Sequence, residues 1–324
     1  MKRAVIAPSG SVTLSETLAP PWPGYRITID GVATHLRETP PTADGTEPAL
    51  FVHGLGGSSS NWTDLAGLLA HRLDGYAMDL PGFGRSDPAR SYSIGALAER
   101  VARVIEHTGR GPVHLFGNSL GGSIVVRVAA LRPDLVRTLT LISPAMPFLD
   151  ARRSAHARML PFLLIPRADR LAARRMATIP PDQLARDILQ ICFADPTRIA
   201  EQRMAEAIEE AQLRYDVPWY LDAYVRTLRS LIGSFLRAYL PGSGSLWRLA
   251  AQIAAPTLVI GGDSDRLVDI RVAAQAARTI PDSRLLMLRG VGHVAQMEVP
   301  ELVARSVVGL LDEVHAARTA DMAR

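Results

Sequence analysis

The chain has 324 residues and a net charge of +4 at neutral pH; 48% of its residues are hydrophobic and 21% are charged. These proportions are those of an ordinary globular protein with a large core. The arginines that carry most of the positive charge are dispersed, without dense basic runs or interleaved aromatic residues, which excludes nucleic acid as the expected partner. The single cysteine, Cys192, excludes an internal disulfide, and no Cys/His cluster has metal-ligand spacing.

The first 24 residues lack periodicity and predict an extended N-terminal arm. Their short apolar run ends at Pro8, which is too early for the hydrophobic region of a signal peptide. No uninterrupted apolar segment along the chain approaches membrane-spanning length. The default prediction is therefore a cytoplasmic protein without stable membrane insertion.

From residue 25 onward, short apolar strands alternate with helices. The alternation around Gly31 predicts an antiparallel hairpin of residues 25–30 and 32–38. Further along, the pattern predicts strands at 49–52, 76–78, from 113 and at 136–143, with helices from Asn61 to about Leu73, from Ser93 to about His107 and from 123 to 131. Because these strands are almost continuously apolar, they predict an α/β fold with a mostly parallel sheet covered by helices on both faces.

The alternation is interrupted between about residues 144 and 249. This segment carries only helical patterns, at 155–164, 181–192, 198–213 and 218–240. We interpret it as a helical cap inserted after the sixth predicted strand. Alternation resumes with a strand at 256–262, a helix at 270–279, a strand at 284–288 and a helix at 301–317, after which 318–324 should fray. The predicted domains are the arm (1–24), the core (25–145 and 250–317) and the cap (146–249).

The organising feature of the core is a Gly-x-Ser-x-Gly motif between a predicted strand and a predicted helix. It comprises Gly117, Ser119 and Gly121. A strand that turns directly into a helix strains the residue at the tip, and side chains at the flanking positions would collide, so glycine is needed there. The turn projects the Ser119 hydroxyl outward beside the N-terminus of the following helix, where free N–H groups lie.

A serine hydroxyl is a poor nucleophile at neutral pH and needs a base, which in turn needs a group that orients it. Asp263 and Asp265 follow the predicted strand at 256–262, and His293 follows the last predicted strand. The order Ser, Asp, His is the one associated with such serine turns, and catalytic groups gather at the carboxyl ends of parallel strands. At this point either aspartate is a candidate.

Together these motifs make the chain resemble the α/β-hydrolase fold family. They lie at residues 51–54, 79–86, 117–122, 265–268 and 292–293. The resemblance implies Ser119 as nucleophile, His293 as general base and Asp265, directly before Arg-Leu-Val, as the acid; Asp263 is the alternative, with a turn-forming role if it is not the acid. It also implies an oxyanion hole formed by the backbone N–H groups of Leu55 and Leu120.

Contacts with the substrate are less directly indicated. Apolar and aromatic residues of the cap could line a tunnel, although many of them are expected to form the core of the cap itself. His53 could be a second base, but a histidine at this position of the fold more often packs its loop. The candidate substrate contacts are His53, Gly54, Asn118, Phe162, Trp219 and Val294.

The resulting prediction is a serine hydrolase that cleaves carboxylic esters with an apolar acyl or alkyl group and needs no metal or organic cofactor. Two alternatives stay open: a hydrolase of C–C bonds in meta-cleavage dienoates and a non-catalytic hydrolase-fold binding protein. The Gly-Asn-Ser-x-Gly-Gly turn resembles the C–C hydrolases, whereas Val294 stands where they often carry tryptophan. A homodimer and peripheral membrane association through residues 159–165 also stay open.

Overall fold

The computed structural model describes residues 1–14, 17–148, 178–238, 240 and 245–322. Its strands, in chain order, are β1 (Lys2–Arg3), β2 (Gly24–Ile29), β3 (Val32–Thr39), β4 (Glu47–Val52), β5 (Leu73–Met78), β6 (Val113–Asn118), β7 (Val136–Ile142), β8 (Thr257–Gly262) and β9 (Ser283–Leu288). The described helices are α1 (Thr63–Leu69), α2 (Ile94–Thr108), α3 (Leu120–Leu131), α4 (Pro181–Cys192), α5 (Glu201–Asp216), α6 (Tyr220–Arg237), α7 (Leu246–Ala250), α8 (Arg271–Thr279), α9 (Ala295–Glu298) and α10 (Pro300–Met322).

The described strands form one nine-stranded sheet in the order β1-β9-β8-β7-β6-β4-β5-β3-β2. β4 pairs in parallel with β5 and β6, and the parallel pairing continues through β7, β8 and β9. The predicted hairpin is present as the antiparallel pair of β2 and β3, and β3 also runs antiparallel to β5. The prediction of a mostly parallel sheet is therefore confirmed.

Helices cover both faces of the sheet, because its central strands are apolar on both sides. On one face, residues of α2, α3, α7 and α8 pack in one apolar cluster with Leu115, Leu139 and Val259. On the other face, α1 and α10 pack around Trp62, Phe51 and Phe116. The rings of Phe51 and Phe116, on neighbouring strands, stack with their centroids 4.4 Å apart. The carboxyl ends of the central strands are thereby left for functional groups.

The N-terminal arm packs more closely against the core than its sequence predicts. β1 pairs in parallel with β9, and the Ala7 N–H donates to the Arg305 carbonyl at 3.1 Å. Two residues are too short to give a strand pattern, so the sequence prediction could not include β1. When β1 is counted, the helical insertion follows the seventh strand and not the sixth.

The predicted ends of the first and the last helix of the core were wrong. The first helix ends at Leu69, because Leu73 begins β5 and pairs with Glu47 of β4. Asn61 caps the short turn before that helix: its side-chain oxygen accepts from the Ser58 N–H at 3.0 Å. The last helix continues to Met322, the last described residue, so the predicted fraying of residues 318–322 is not found.

The described part of the insertion between β7 and β8 is helical, as predicted. α4 has the predicted bounds, whereas α5 begins and ends three residues later than predicted and α6 is shorter at both ends. The helix predicted at 155–164 lies outside the described residues. The boundaries of arm, core and cap stay a prediction. No helix among the described residues combines the length and apolar character needed to span a membrane.

A buried carboxylate organises the loop that follows β5. Asp79 is fully buried; its Oδ1 accepts from the Ser59 N–H at 2.6 Å and its Oδ2 from the Arg85 N–H at 2.9 Å. Oδ2 also lies 2.8 Å from Nδ1 of His35. Burial by itself raises the pKa of Asp79, but the interactions with His35, His53 and the Arg85 N–H outweigh it and lower the pKa to about 2.

We therefore expect Asp79 to make the fold sensitive to acid. A carboxylate whose pKa is depressed in the folded state stabilises the fold above its unfolded pKa, and this stabilisation is lost as the pH falls towards the folded pKa. The advantage of wild type over Asp79→Asn in free energy of unfolding should shrink by on the order of 2 kcal/mol between about pH 4 and pH 2. Urea unfolding at several pH values measures it. The exposed Asp44→Asn is the control and should parallel wild type; an equally parallel Asp79→Asn curve would contradict the expectation.

Candidate active site

The turn between β6 and α3 holds Ser119 in a strained backbone conformation. Its φ of 54° and ψ of −117° lie where side chains other than glycine are rare. The flanking glycines are needed sterically: a Cβ at Gly121 would lie 2.6 Å from the His53 carbonyl oxygen, and one at Gly117 would lie 2.7 Å from the backbone of Gly121. The strand-turn-helix arrangement thus matches the one that the motif predicts.

Replacing Gly121 with alanine should destabilise the protein, because the new methyl group would force α3 away from β4. We expect a loss of about 1–3 kcal/mol in free energy of unfolding, as for other overpacked sites. Gly95→Ala in α2 is the matched control, since the nearest atom to its added Cβ is 3.6 Å away. Helix propensity should make that control more stable by about 0.5–1 kcal/mol. Denaturant unfolding of both variants measures the contrast, which is absent if the turn has room for a side chain.

His293 and Asp265 meet at the carboxyl edge of the sheet. His293 Nδ1 lies 2.8 Å from Asp265 Oδ2, and both side chains are only 4% exposed. The other carboxylate oxygen, Oδ1, accepts from the N–H groups of Leu267 at 2.8 Å and Val268 at 3.0 Å. Burial raises the pKa of Asp265, but these partners outweigh it and hold the pKa below its ordinary value. The carboxylate is therefore ionised at neutral pH and has a fixed orientation towards the imidazole.

Asp263, the alternative acid, has a different role in the structure. Its Oδ1 accepts from the Ser264 hydroxyl at 2.9 Å and from the Gly290 N–H at 2.8 Å. The side chain is exposed and joins two loops. Of the two aspartates, Asp265 is the one that contacts His293 in the described structure.

Asn118 links the serine turn to the loop between β9 and α9, residues 289–294, which carries His293 and is called the histidine loop below. Its Nδ2 donates to the carbonyls of Ile142 and His293, both at 3.1 Å. The Nδ2 group of Asn118 thus holds the two segments together, and the substrate contact of Asn118 stays a prediction. The Ser119 hydroxyl makes no hydrogen bond within the described part of the chain. In serine hydrolases the hydrogen bond between the serine and its base often forms only when substrate is bound.

The two residues predicted to supply oxyanion N–H groups, Leu55 and Leu120, belong to segments that adjoin Ser119. Leu120 is the first residue of α3, so its N–H has no acceptor one helical turn earlier. Leu55 follows Gly54, where an added Cβ would lie 3.1 Å from the Cβ of Ser119. The loop after β4 therefore runs along the serine, and Gly54 permits that close approach.

His53 holds this loop in place. The ring is fully buried, with Nε2 accepting from the Leu80 N–H at 2.9 Å and Nδ1 2.7 Å from the Gly54 carbonyl, to which it donates. Burial, the largest effect, lowers the pKa of His53 and favours the neutral ring. Since both nitrogens are engaged with backbone, the geometry corresponds to the structural role and leaves neither nitrogen for a substrate.

The helical insertion covers the loop after β4. The Arg214 guanidinium donates to the Gly56 carbonyl at 2.9 Å. A Cβ at Gly56 would lie 3.1 Å from the ring of Tyr224 and 3.2 Å from the hydroxyl of Tyr220. Burial raises the pKa of both tyrosines, so their hydroxyls are protonated. The sequence analysis did not single out Arg214, because nothing in its local pattern indicates which loop it reaches.

The remaining predicted substrate contacts are placed as follows. Val294 is 8% exposed and packs with Leu189 and Phe193 of the insertion. Trp219 directly precedes α6, and its indole N–H is buried without a partner in the described part of the chain. Phe162 lies outside the described residues. The Cys192 carbonyl accepts from the His293 N–H at 2.7 Å, and burial raises the pKa of the Cys192 thiol to about 12.

A family profile described as the alpha/beta hydrolase fold matches residues 48–300. The acetyltransferase component of the acetoin cleaving system of Pseudomonas putida, a dihydrolipoyllysine-residue acetyltransferase, is 28% identical over 270 residues, 83% of this chain. The alignment spans only 64% of that relative's length. A 2-hydroxy-6-oxononadienedioate/2-hydroxy-6-oxononatrienedioate hydrolase of the same species is 27% identical, over 83% of this chain and 88% of its own. The solved structure of a bacterial membrane phospholipase A is 25% identical with a TM-score of 0.73, over 91% of this chain and 87% of that one.

Proposed function

The chain belongs to the α/β-hydrolase fold family, and we propose that it is a serine hydrolase of carboxylic esters with an apolar acyl or alkyl group. Ser119 is the nucleophile, His293 the general base and Asp265 the acid that orients the base. The single observation that carries the proposal is the 2.8 Å contact between His293 Nδ1 and the buried Asp265 carboxylate, at the sheet edge where Ser119 sits in its strained turn.

The first step of the proposed reaction is acyl transfer to the enzyme. Asp265 accepts a hydrogen bond from Nδ1 of His293, which leaves Nε2 free to take the proton from the Ser119 hydroxyl. The serine oxygen attacks the ester carbonyl, and the N–H groups of Leu55 and Leu120 stabilise the negative oxygen that develops. The C–O bond to the alcohol then breaks, and the alcohol leaves with the proton from His293.

The second step releases the acid product. Water gives a proton to His293 and attacks the acyl-enzyme carbonyl, and Ser119 recovers its proton as the ester bond to the enzyme breaks. The buried surroundings of His293 and Asp265 strengthen their mutual attraction while the imidazole carries the proton. No further chemical group is needed for either step.

The ester as substrate class is supported by the likeness to the membrane phospholipase A and by the apolar surroundings of the base. Val294, directly after His293, packs among Leu189, Phe193 and Met297. The two tyrosines of α6 present rings and neutral hydroxyls to the loop that carries Leu55. Such a lining suits an apolar group with few polar contacts.

A second candidate is hydrolysis of a C–C bond in a dienoate. The 27% identity to the 2-hydroxy-6-oxononadienedioate/2-hydroxy-6-oxononatrienedioate hydrolase, over most of that protein, favours it. Both reactions would use the same serine, base and acid. They differ in the leaving group, which is a carbon acid in one case and an alcohol in the other.

The test is turnover of p-nitrophenyl esters of increasing acyl length, together with labelling by a fluorophosphonate and mass spectrometry of the labelled peptide. Label on Ser119 with turnover that peaks at one chain length supports the ester hydrolase. Label on Ser119 with negligible ester turnover, but loss of dienoate absorbance, favours the second candidate. Absence of both label and turnover would contradict a catalytic role and favour a binding protein.

A further inference from the structure

A buried carboxylate that the proposed reaction does not use lies next to the histidine loop. Glu298, the last residue of α9, is 4% exposed as a residue, and its side chain has no exposed surface. An isolated buried carboxylate is strongly unfavourable unless it is paired and hydrogen-bonded. Its partners therefore indicate what holds it there.

The Glu298 carboxylate joins two segments of the chain. Oε2 accepts from the Gly292 N–H at 2.7 Å and from the Ala194 N–H at 3.2 Å. Oε1 accepts from the Asp195 N–H and from the Arg198 guanidinium, both at 3.1 Å. One partner thus belongs to the histidine loop, and the other three belong to the insertion after α4.

Gly292 directly precedes His293, and the two segments touch backbone to backbone at this point. A Cβ at Gly292 would lie 2.7 Å from the Ala194 nitrogen. The His293 N–H donates to the Cys192 carbonyl at 2.7 Å, and the His293 carbonyl accepts from Asn118. The backbone of His293 is therefore fixed at its N–H, at its carbonyl and, through Glu298, at the preceding N–H.

We propose that Glu298 is a positioning residue that holds His293 in reach of Ser119 and couples the base to residues 194–198 of the insertion. This inference rests on the proposed function, in which His293 is the base. A displacement of about 1 Å at a reacting group can lower a rate by about 100-fold. Glu298 prevents such a displacement by binding the histidine loop and the insertion to the same carboxylate.

The test is Glu298→Gln in the full-length protein. An amide can offer its oxygen to one set of N–H groups only, so its NH2 must face either Gly292 and Ala194 or Asp195 and Arg198. We expect kcat on the preferred p-nitrophenyl ester to fall between about 10-fold and 100-fold with little change in KM. A changed low-field proton resonance of the His293 Nδ1–H should accompany the loss.

Two further variants separate positioning from general stabilisation. Glu301→Gln alters an exposed carboxylate three residues away, which pairs with Arg305 at 3.5 Å, and should leave all readouts unchanged. Glu298→Asp keeps the charge and should fall between wild type and Glu298→Gln; it also serves if the glutamine variant does not fold. Arg198→Gln leaves the backbone bonds intact and should lower kcat less than Glu298→Gln does.

A glutamine variant with kcat within twofold of wild type, or with lowered kcat but an unchanged His293 resonance, overturns the inference. The resonance does not depend on turnover. If wild type shows neither ester turnover nor label on Ser119, the proposed function fails, whereas the resonance of Glu298→Gln still decides whether Glu298 positions His293.

Discussion

Replacing Ser119 with alanine should lower kcat for ester hydrolysis by about a millionfold, the size of effect seen when a triad nucleophile is removed. The residual rate should come from the oxyanion N–H groups and substrate binding alone. The fold should be retained, because the Ser119 hydroxyl makes no hydrogen bond within the described part of the chain. Active-site labelling and initial rates on a p-nitrophenyl ester measure the loss, and a thermal melt measures the fold.

Ser123→Ala is the matched control for this variant. Ser123 lies one turn further along α3, is fully buried, and donates to the Ala145 carbonyl at 2.5 Å. Its replacement should destabilise the protein by about 1 kcal/mol and leave most of kcat. More than one hundredth of the wild-type rate in a pure preparation of Ser119→Ala would exclude Ser119 as the nucleophile.

The sequence predicts best those residues whose type is dictated by the conformation of their immediate neighbours in the chain. Gly117 and Gly121 must be glycine because a strand turns into a helix within three residues, and that constraint is visible in the motif itself. The alternating strands and helices likewise depend on neighbours a few residues away. For this reason the mostly parallel sheet and the succession of strands and helices along the chain could be predicted from the sequence, whereas the order of the strands in the sheet could not.

The contacts that the sequence did not predict join segments far apart in the chain. Glu298 reaches Ala194, and Arg214 reaches Gly56, through packing of the insertion on the core. No local periodicity encodes such pairs. The same reason explains why the sequence did not predict the bonds of Asn118 and His53 to backbone groups of other loops. Their contacts with substrate stay predictions.

The insertion packs against two loops of the core that carry residues of the proposed site. It contacts the loop after β4 through Arg214 and the two tyrosines. It contacts the histidine loop through the Cys192 carbonyl, and its Ala194 N–H donates to Glu298, which binds the same loop. These two loops carry Leu55 and His293. A hydrolase of this kind would need the insertion in place for the geometry of its oxyanion N–H group and of its base.

Replacing Asp265 with asparagine should lower kcat by about 10,000-fold while the fold is kept, as for other triads in which the acid is made an amide. The structure determines how the amide must lie. The Leu267 and Val268 N–H groups require an acceptor, so the amide oxygen takes the place of Oδ1 and the NH2 faces His293. Nδ1 of His293 must then accept, which puts the ring proton on Nε2 and leaves no base for Ser119.

Asp263→Asn separates this mechanism from a general effect of charge at the sheet edge. The amide oxygen can still accept from Ser264 and Gly290, so kcat should stay within about threefold of wild type. Rates for both variants on the preferred p-nitrophenyl ester, with the fraction of active enzyme titrated, measure the contrast. If Asp263→Asn lost activity and Asp265→Asn retained it, the acid would be Asp263. If both variants lost activity equally, the charge of the sheet edge would matter and not the tautomer of His293.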